Sequence, residues 1–179
     1  MSVRPFLPST GTVAALVCAT ALGCDAPART EPTQPRPAFN RPAEFQTVTF
    51  VVGPLSPSFE TIEVLGNGRR HFRGGTLPGP VGGDLAGNFV AHGEITFDAT
   101  FTGQGHGTAT ISTAEGDWAG NLVMKFEGIL VPALGRYVPL GWFQLTLQGP
   151  QNKKLFAECQ ERMPPTSETL DCVGTIVAP

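Results

Sequence analysis

The feature that most constrains this chain is a two-residue hydrophobic period. Ile95, Phe97, Ala99 and Phe101 alternate with Glu94, Thr96, Asp98 and Thr100. Leu122, Met124 and Phe126 alternate with Val123, Lys125 and Glu127, and Phe143, Leu145 and Leu147 with Gln144 and Thr146. Alternation of this kind lays one apolar face on a strand and leaves the other polar. Further strands are expected at 45–52, 59–65, 69–73, 87–101 with a bend near Gly93, 106–113, 153–159 and 170–177. Turn residues separate them: Gly66-Asn67-Gly68, Thr102-Gly103-Gln104-Gly105, Glu115-Gly116-Asp117 and Gly149-Pro150. Asn-Gly is a strong hairpin signal. No stretch of twelve residues reads as an amphipathic helix, and 22 Gly and 17 Pro oppose one.

Many short antiparallel strands with one apolar face need closure or a second sheet to protect their edges. The reading is an all-β domain over residues 44–179, a small antiparallel barrel of about eight strands, with a β-sandwich as the alternative. Its length suits one core.

The first 43 residues have a different composition. Arg4 is the only charge before Asp25, and Thr12–Gly23 is an uncharged, mostly apolar run. That is the build of a secretory signal, and it is too short to span a bilayer. It ends Ala21-Leu22-Gly23-Cys24, which resembles the lipobox of bacterial lipoproteins. The resemblance implies cleavage before Cys24, lipidation of Cys24 and a place in the bacterial cell envelope, anchored to a membrane and facing periplasm or exterior. The plainer alternative is a free secreted protein cut after Ala21 or near Ala26. Residues 1–23 are then the signal and 24–43 the lipidated Cys and tether. Residues 25–43, DAPARTEPTQPRPAFNRPA, hold five prolines and few large apolar groups, too few to offset ordering entropy.

Export changes the cysteine count. Of four cysteines, Cys18 leaves with the signal and Cys24 carries lipid. Cys159 and Cys172 remain as an even pair in an oxidising compartment, where a disulfide across a turn at Pro164-Pro165-Thr166-Ser167 is expected. Two buried thiols, or a reactive dithiol, are the other readings; the spacing is not that of a CxxC redox motif.

Net charge is −3, and −4 once Arg4 leaves with the signal. With no broad basic field, nucleic acid is not an expected partner. Arg69-Arg70-His71-Phe72-Arg73 is the densest positive stretch, read as a solvated strand face more readily than as a site for an anion. His71, His92 and His106 have no metal-binding spacing, and no GxSxG elbow accompanies a serine. No metal, cofactor or catalytic residue is assigned. Trp118, Tyr137 and Trp142 are candidates to line a pocket or cap a barrel mouth, against the plain alternative of core packing.

GDLAGNFV at 83–90 recurs as GDWAGNLV at 116–123. A calcium site built from Asp84, Asn88, Asp117 and Asn121 is weighed and set aside, because the oxygens would start about 10 Å apart on separate strands. Asp84 and Asp117 are read instead as turn residues, with Gly87 and Gly120 allowing a bend or close packing.

The segment VGGDLAGNFVAHGEITFDATFTGQGHGTATI resembles the allene oxide cyclase-like and dirigent-like barrels, and the likeness runs over about residues 80–177. It implies an eight-stranded antiparallel barrel with an apolar cavity. No catalytic residue of those families maps onto a position here. Two functions follow as expectations. One is a lipid-anchored binding or interaction module for a small apolar ligand or a protein. The other, a cavity enzyme of cyclase or isomerase type, is the less favoured.

Overall fold

The computed structural model describes residues 43–162 and 168–179. The signal, Cys24, nearly all of the tether and the Pro164–Ser167 turn lie outside them.

Nine strands form one antiparallel sheet that closes on itself: β1 (Glu44–Val52), β2 (Thr61–Val64), β3 (Arg70–Gly83), β4 (Gly87–Phe97), β5 (Gly103–Thr113), β6 (Gly116–Val131), β7 (Arg136–Gln148), β8 (Lys154–Glu161) and β9 (Leu170–Ala178). Their order is β1-β9-β8-β7-β6-β5-β4-β3-β2, and β1 also pairs with β3. This last pairing closes the ring. β1 meets the far end of β3 at Phe50–Gly83 to Val52–Val81, whereas β2 meets its near end at Thr61–Arg73 to Val64–Arg70. Between them Gly53, Ser56 and Ser58 bond to Pro80, Pro78 and Thr76 of β3. β1, the segment after it and β2 therefore run as one stave, and the ring has eight stave positions. The sandwich alternative is excluded.

The alternation places Phe89, Ala91, Ile95 and Phe97 of β4 inside, with Ala109 and Ile111 of β5 and Leu145 and Leu147 of β7. Gln104, Lys125, Gln144 and Lys154 face out. An apolar interior with a mostly polar exterior is the reverse of a barrel that spans a bilayer with its outer face. One end is filled by Phe89, Ile111, Trp118, Leu147 and Leu155, each almost wholly buried.

Several boundaries differ from the sequence reading. The Thr102–Gly105 turn is shorter than expected, and β5 begins at Gly103. Gly103, Gly105 and Gly107 are alternate residues of that strand, pressed against β4. A β-carbon on Gly107 would lie 2.0 Å from the His92 carbonyl oxygen, and one on Gly103 2.1 Å from that of Thr96. The preceding strand stops at Phe97, not 101, because Asp98 turns the chain: its Oδ1 accepts from Thr100 N, Thr100 Oγ1 and Thr102 N at 2.8, 2.7 and 3.0 Å. Phe101 adopts a φ of 61° there.

Cys159 and Cys172 stand directly opposite on β8 and β9 and form the expected disulfide. Both are buried.

Candidate functional site

The end of the barrel opposite the Trp118 layer holds a cavity of about 310 Å³. Its walls are Leu77 of β3, Ala91, Ile95 and Phe97 of β4, Leu122, Met124 and Phe126 of β6, and Phe143 of β7, with Leu55 and Phe59 from the segment between β1 and β2. Two of the lining positions are glycines, Gly75 of β3 and Gly93 of β4, which leave space that side chains would fill. The volume lies at the small end of those typical for ligand sites.

A run of phenylalanines frames the mouth. Ring centroids are 5.0 Å apart for Phe59–Phe72, 5.5 Å for Phe72–Phe97, 5.9 Å for Phe97–Phe101, 5.0 Å for Phe97–Phe126 and 5.7 Å for Phe126–Phe143. All five pairs are edge-on, the arrangement that sets a positive ring edge against a negative face. The Arg70 guanidinium lies 5.5 Å from the Phe101 centroid and covers that ring from outside.

Two carboxyl residues, Glu161 and Glu168, reach this lining. Glu161 is the last inward position of β8, after Leu155, Ala157 and Cys159. Its Oε2 accepts from the Gly141 backbone N–H at 3.0 Å. Burial pushes its pKa above the ordinary carboxylate range; the Gly141 bond opposes this and the charge of Glu168 adds to it. The sequence reading ended that strand at 159 and missed Glu161. The signal was present, since the alternation Leu155-Ala157-Cys159 continues onto it.

The aromatic candidates named from sequence do not line the cavity. Trp118 is 2% exposed, in the filled end of the core. Trp142 is an outward position between inward Gly141 and Phe143, and Tyr137 is exposed near the tip of the β6–β7 hairpin. Indole and phenol groups drew attention because they carry a polar handle; the structure uses plain phenyl rings instead.

The repeat also resolves. Its first copy straddles the β3–β4 turn, and Asp84 there accepts from Thr49 N at 2.8 Å and Thr49 Oγ1 at 3.3 Å, tying the turn to β1. The second copy lies within β6, so Asp117 is a strand residue opposite Ser112 and not a turn residue. Gly87 and Gly116 are both paired with Thr113. The copies are thus displaced by four residues in space, and matching positions do not sit side by side. Among the described residues, no group of three or more His, Cys, Asp or Glu side chains could hold a metal ion.

His71 and His106 meet on the outside of the sheet, whereas His92 of β4 borders the cavity. Glu94 of β4 receives His71 from β3 at 3.3 Å and His106 from β5 at 3.4 Å, while His92 meets Thr76 at 3.2 Å. Arg73 is engaged by Glu63 at 3.4 Å and donates to His71 Nδ1 at 3.2 Å. The Arg69–Arg73 stretch is therefore a partly neutralised strand face, consistent with the solvated reading. Only the sheet register brings these groups together.

Compared with known proteins, the chain matches no described family, no curated protein and no solved structure.

Proposed function

We propose that this is a lipid-anchored binding module that holds a small apolar molecule in the open end of its barrel. The observation that carries the reading is the phenylalanine-framed cavity of about 310 Å³. Burying apolar surface there is worth about 25 cal/mol per Å², enough for useful affinity in a preformed site. The barrel interior supports the resemblance to allene oxide cyclase-like and dirigent-like barrels. The Ala21-Leu22-Gly23-Cys24 segment supports lipidation of Cys24 in a bacterial cell envelope, with the proline-rich segment as the tether that gives the barrel reach from the membrane. Several acyl chains at ~0.8 kcal/mol per buried CH₂ would hold it there firmly.

A fluorescent apolar probe, N-phenyl-1-naphthylamine, tests the cavity directly. Its emission should rise on titration with protein and saturate at one site. Ala91→Phe, which fills the lining, should abolish the rise while circular dichroism shows the sheet intact. A folded Ala91→Phe variant that binds the dye as wild type does would remove the reading. For the anchor, mass measurement should find acylated Cys24 at the mature N-terminus, and Cys24→Ala should move the protein into the soluble fraction. An unmodified N-terminus elsewhere would overturn it.

The second reading, a cavity enzyme of cyclase or isomerase type, is favoured by one observation: Glu161 and Glu168 both line an apolar cavity, and the raised pKa of Glu161 suits general acid work. The compound extracted from protein taken from its own membrane, incubated with fresh protein and followed by chromatography and NMR, separates the two. A ligand recovered unchanged supports binding; conversion to an isomer of equal mass supports catalysis.

A further inference from the structure

The β7–β8 ladder ends at Trp142–Gln160, one step short of the rim. The next β7 donor, Gly141 N–H, is met by the Glu161 side chain instead of by backbone. This holds one carboxylate oxygen, Oε2, at a fixed point on the cavity wall. Among the described residues no donor reaches Oε1. Gly141 itself cannot carry a side chain here, since a β-carbon would lie 2.7 Å from Phe143 Cε2 and 2.9 Å from Phe126 Cε1. The glycine thus lets two phenyl rings and a carboxylate share one patch of wall.

The charge around that oxygen is one-sided. Glu168 lies on the same lining. Arg162 follows Glu161 in the chain but turns to Asp171, with Nε 2.9 Å from Oδ2. From β7, Pro139, Gly141 and Phe143 supply no titratable group. His92 of β4 also borders the cavity, its Nδ1 3.2 Å from Thr76 Oγ1. Among the described residues, then, the lining presents two acids and one imidazole, and no lysine or arginine. A buried or half-buried carboxylate without a partner is costly, and a ligand that brings the missing positive charge relieves that cost.

We infer that the cavity takes an apolar body bearing one primary amine, with the ammonium group placed at Glu161 Oε1. This rests on the binding reading above and gives it a ligand class. The ammonium donates to Oε1 and is attracted by Glu168, while the hydrocarbon part lies against Leu77, Ile95, Phe97 and Leu122. An acid of the same length meets like charge and is rejected.

Calorimetric titration of the full processed protein at pH 7 with 1-octylamine, 1-octanol and octanoate tests this. Octylamine should bind about tenfold more tightly than octanol, and octanoate should be the weakest. Glu161→Gln should bring octylamine to the affinity of octanol and leave octanol unchanged. Octanol binding as tightly as octylamine, or an octylamine affinity that survives Glu161→Gln, would overturn the inference and leave the cavity reading standing. No binding by any of the three, nor by N-phenyl-1-naphthylamine, would remove both.

Discussion

Gly149 lies face-on against Trp118: a β-carbon on Gly149 would come within 2.3 Å of Trp118 Cε3. The glycine at the β7–β8 turn is a packing requirement of the barrel's filled end, where Trp118 is 2% exposed. Gly149→Ala should therefore lower stability by about 1–3 kcal/mol, the usual cost of overpacking. Gly66→Ala is the control, since nothing lies within 4 Å of its β-carbon. Its effect should stay within about 0.5 kcal/mol. Urea unfolding followed by tryptophan fluorescence measures both, and equal midpoints would contradict the packing argument.

The Cys159–Cys172 bridge closes a short loop, with a sequence separation of 13. In the chain-entropy account such a crosslink stabilises by about 3 kcal/mol through the unfolded state. Reduction should lower the urea midpoint accordingly, and the Cys159→Ala, Cys172→Ala double variant should be insensitive to reductant. A wild-type midpoint that reductant leaves unchanged, with thiol labelling showing full reduction, would refute this.

Glu161 gives stability a pH dependence of defined sign. Its pKa is raised on folding, chiefly by burial. The folded state therefore binds the proton more tightly than the unfolded chain, and the cost of the buried charge is present above the folded pKa. That cost fades as pH falls through the raised value and is gone below the ordinary carboxylate range. Glu161→Gln keeps an acceptor for Gly141 N–H without the charge. It should melt slightly above wild type at pH 7, and the difference should shrink towards zero near pH 4, the half-exposed position keeping the gain small. A difference that grows on acidification would contradict the assignment.

Asp98 acts through the loop it caps. Its bonds to Thr100 and Thr102 hold its carboxyl below the ordinary range, the Thr100 hydroxyl most of all. The same bonds hold Phe101 at the cavity mouth with a φ of 61°. Asp98→Ala should raise amide exchange at Thr100 and Thr102 several-fold and weaken binding of N-phenyl-1-naphthylamine, with the Phe89–Ile111 layer unchanged. Because the pKa is depressed, acidification of wild type through it should mimic the variant. Exchange rates at Thr100 and Thr102 equal to wild type would show that the cap does not order the loop.

The alternation in Ile95–Phe97, Leu122–Phe126 and Phe143–Leu147 was enough to read strands, their inward faces and a closed all-β architecture, because a period of two is a local property of the chain. The pairing of Cys159 with Cys172 was readable for a similar reason: they lie on strands that follow each other in the chain. The cavity was not readable. Gly103 and Gly105 look like turn residues in isolation, and only their place between β4 and β6 makes them strand residues packed against β4. Glu161 was overlooked because a glutamate at a strand end normally faces water, and what holds it is a backbone donor twenty residues earlier. Trp118, Tyr137 and Trp142 drew attention by chemical type, yet depth and facing, not type, decide which rings reach a cavity.

The sequence by itself determined the alternation and the cysteine partners, which depend on neighbours within one strand or on consecutive strands. Tertiary structure alone decided that β1 and β2 share a stave, that the repeats are out of step by four residues, that His71 and His106 meet at Glu94, and that phenylalanines frame an open end with a carboxylate in its wall. Those outcomes depend on the register between strands, and a shift of one residue would have turned these side chains to the opposite face.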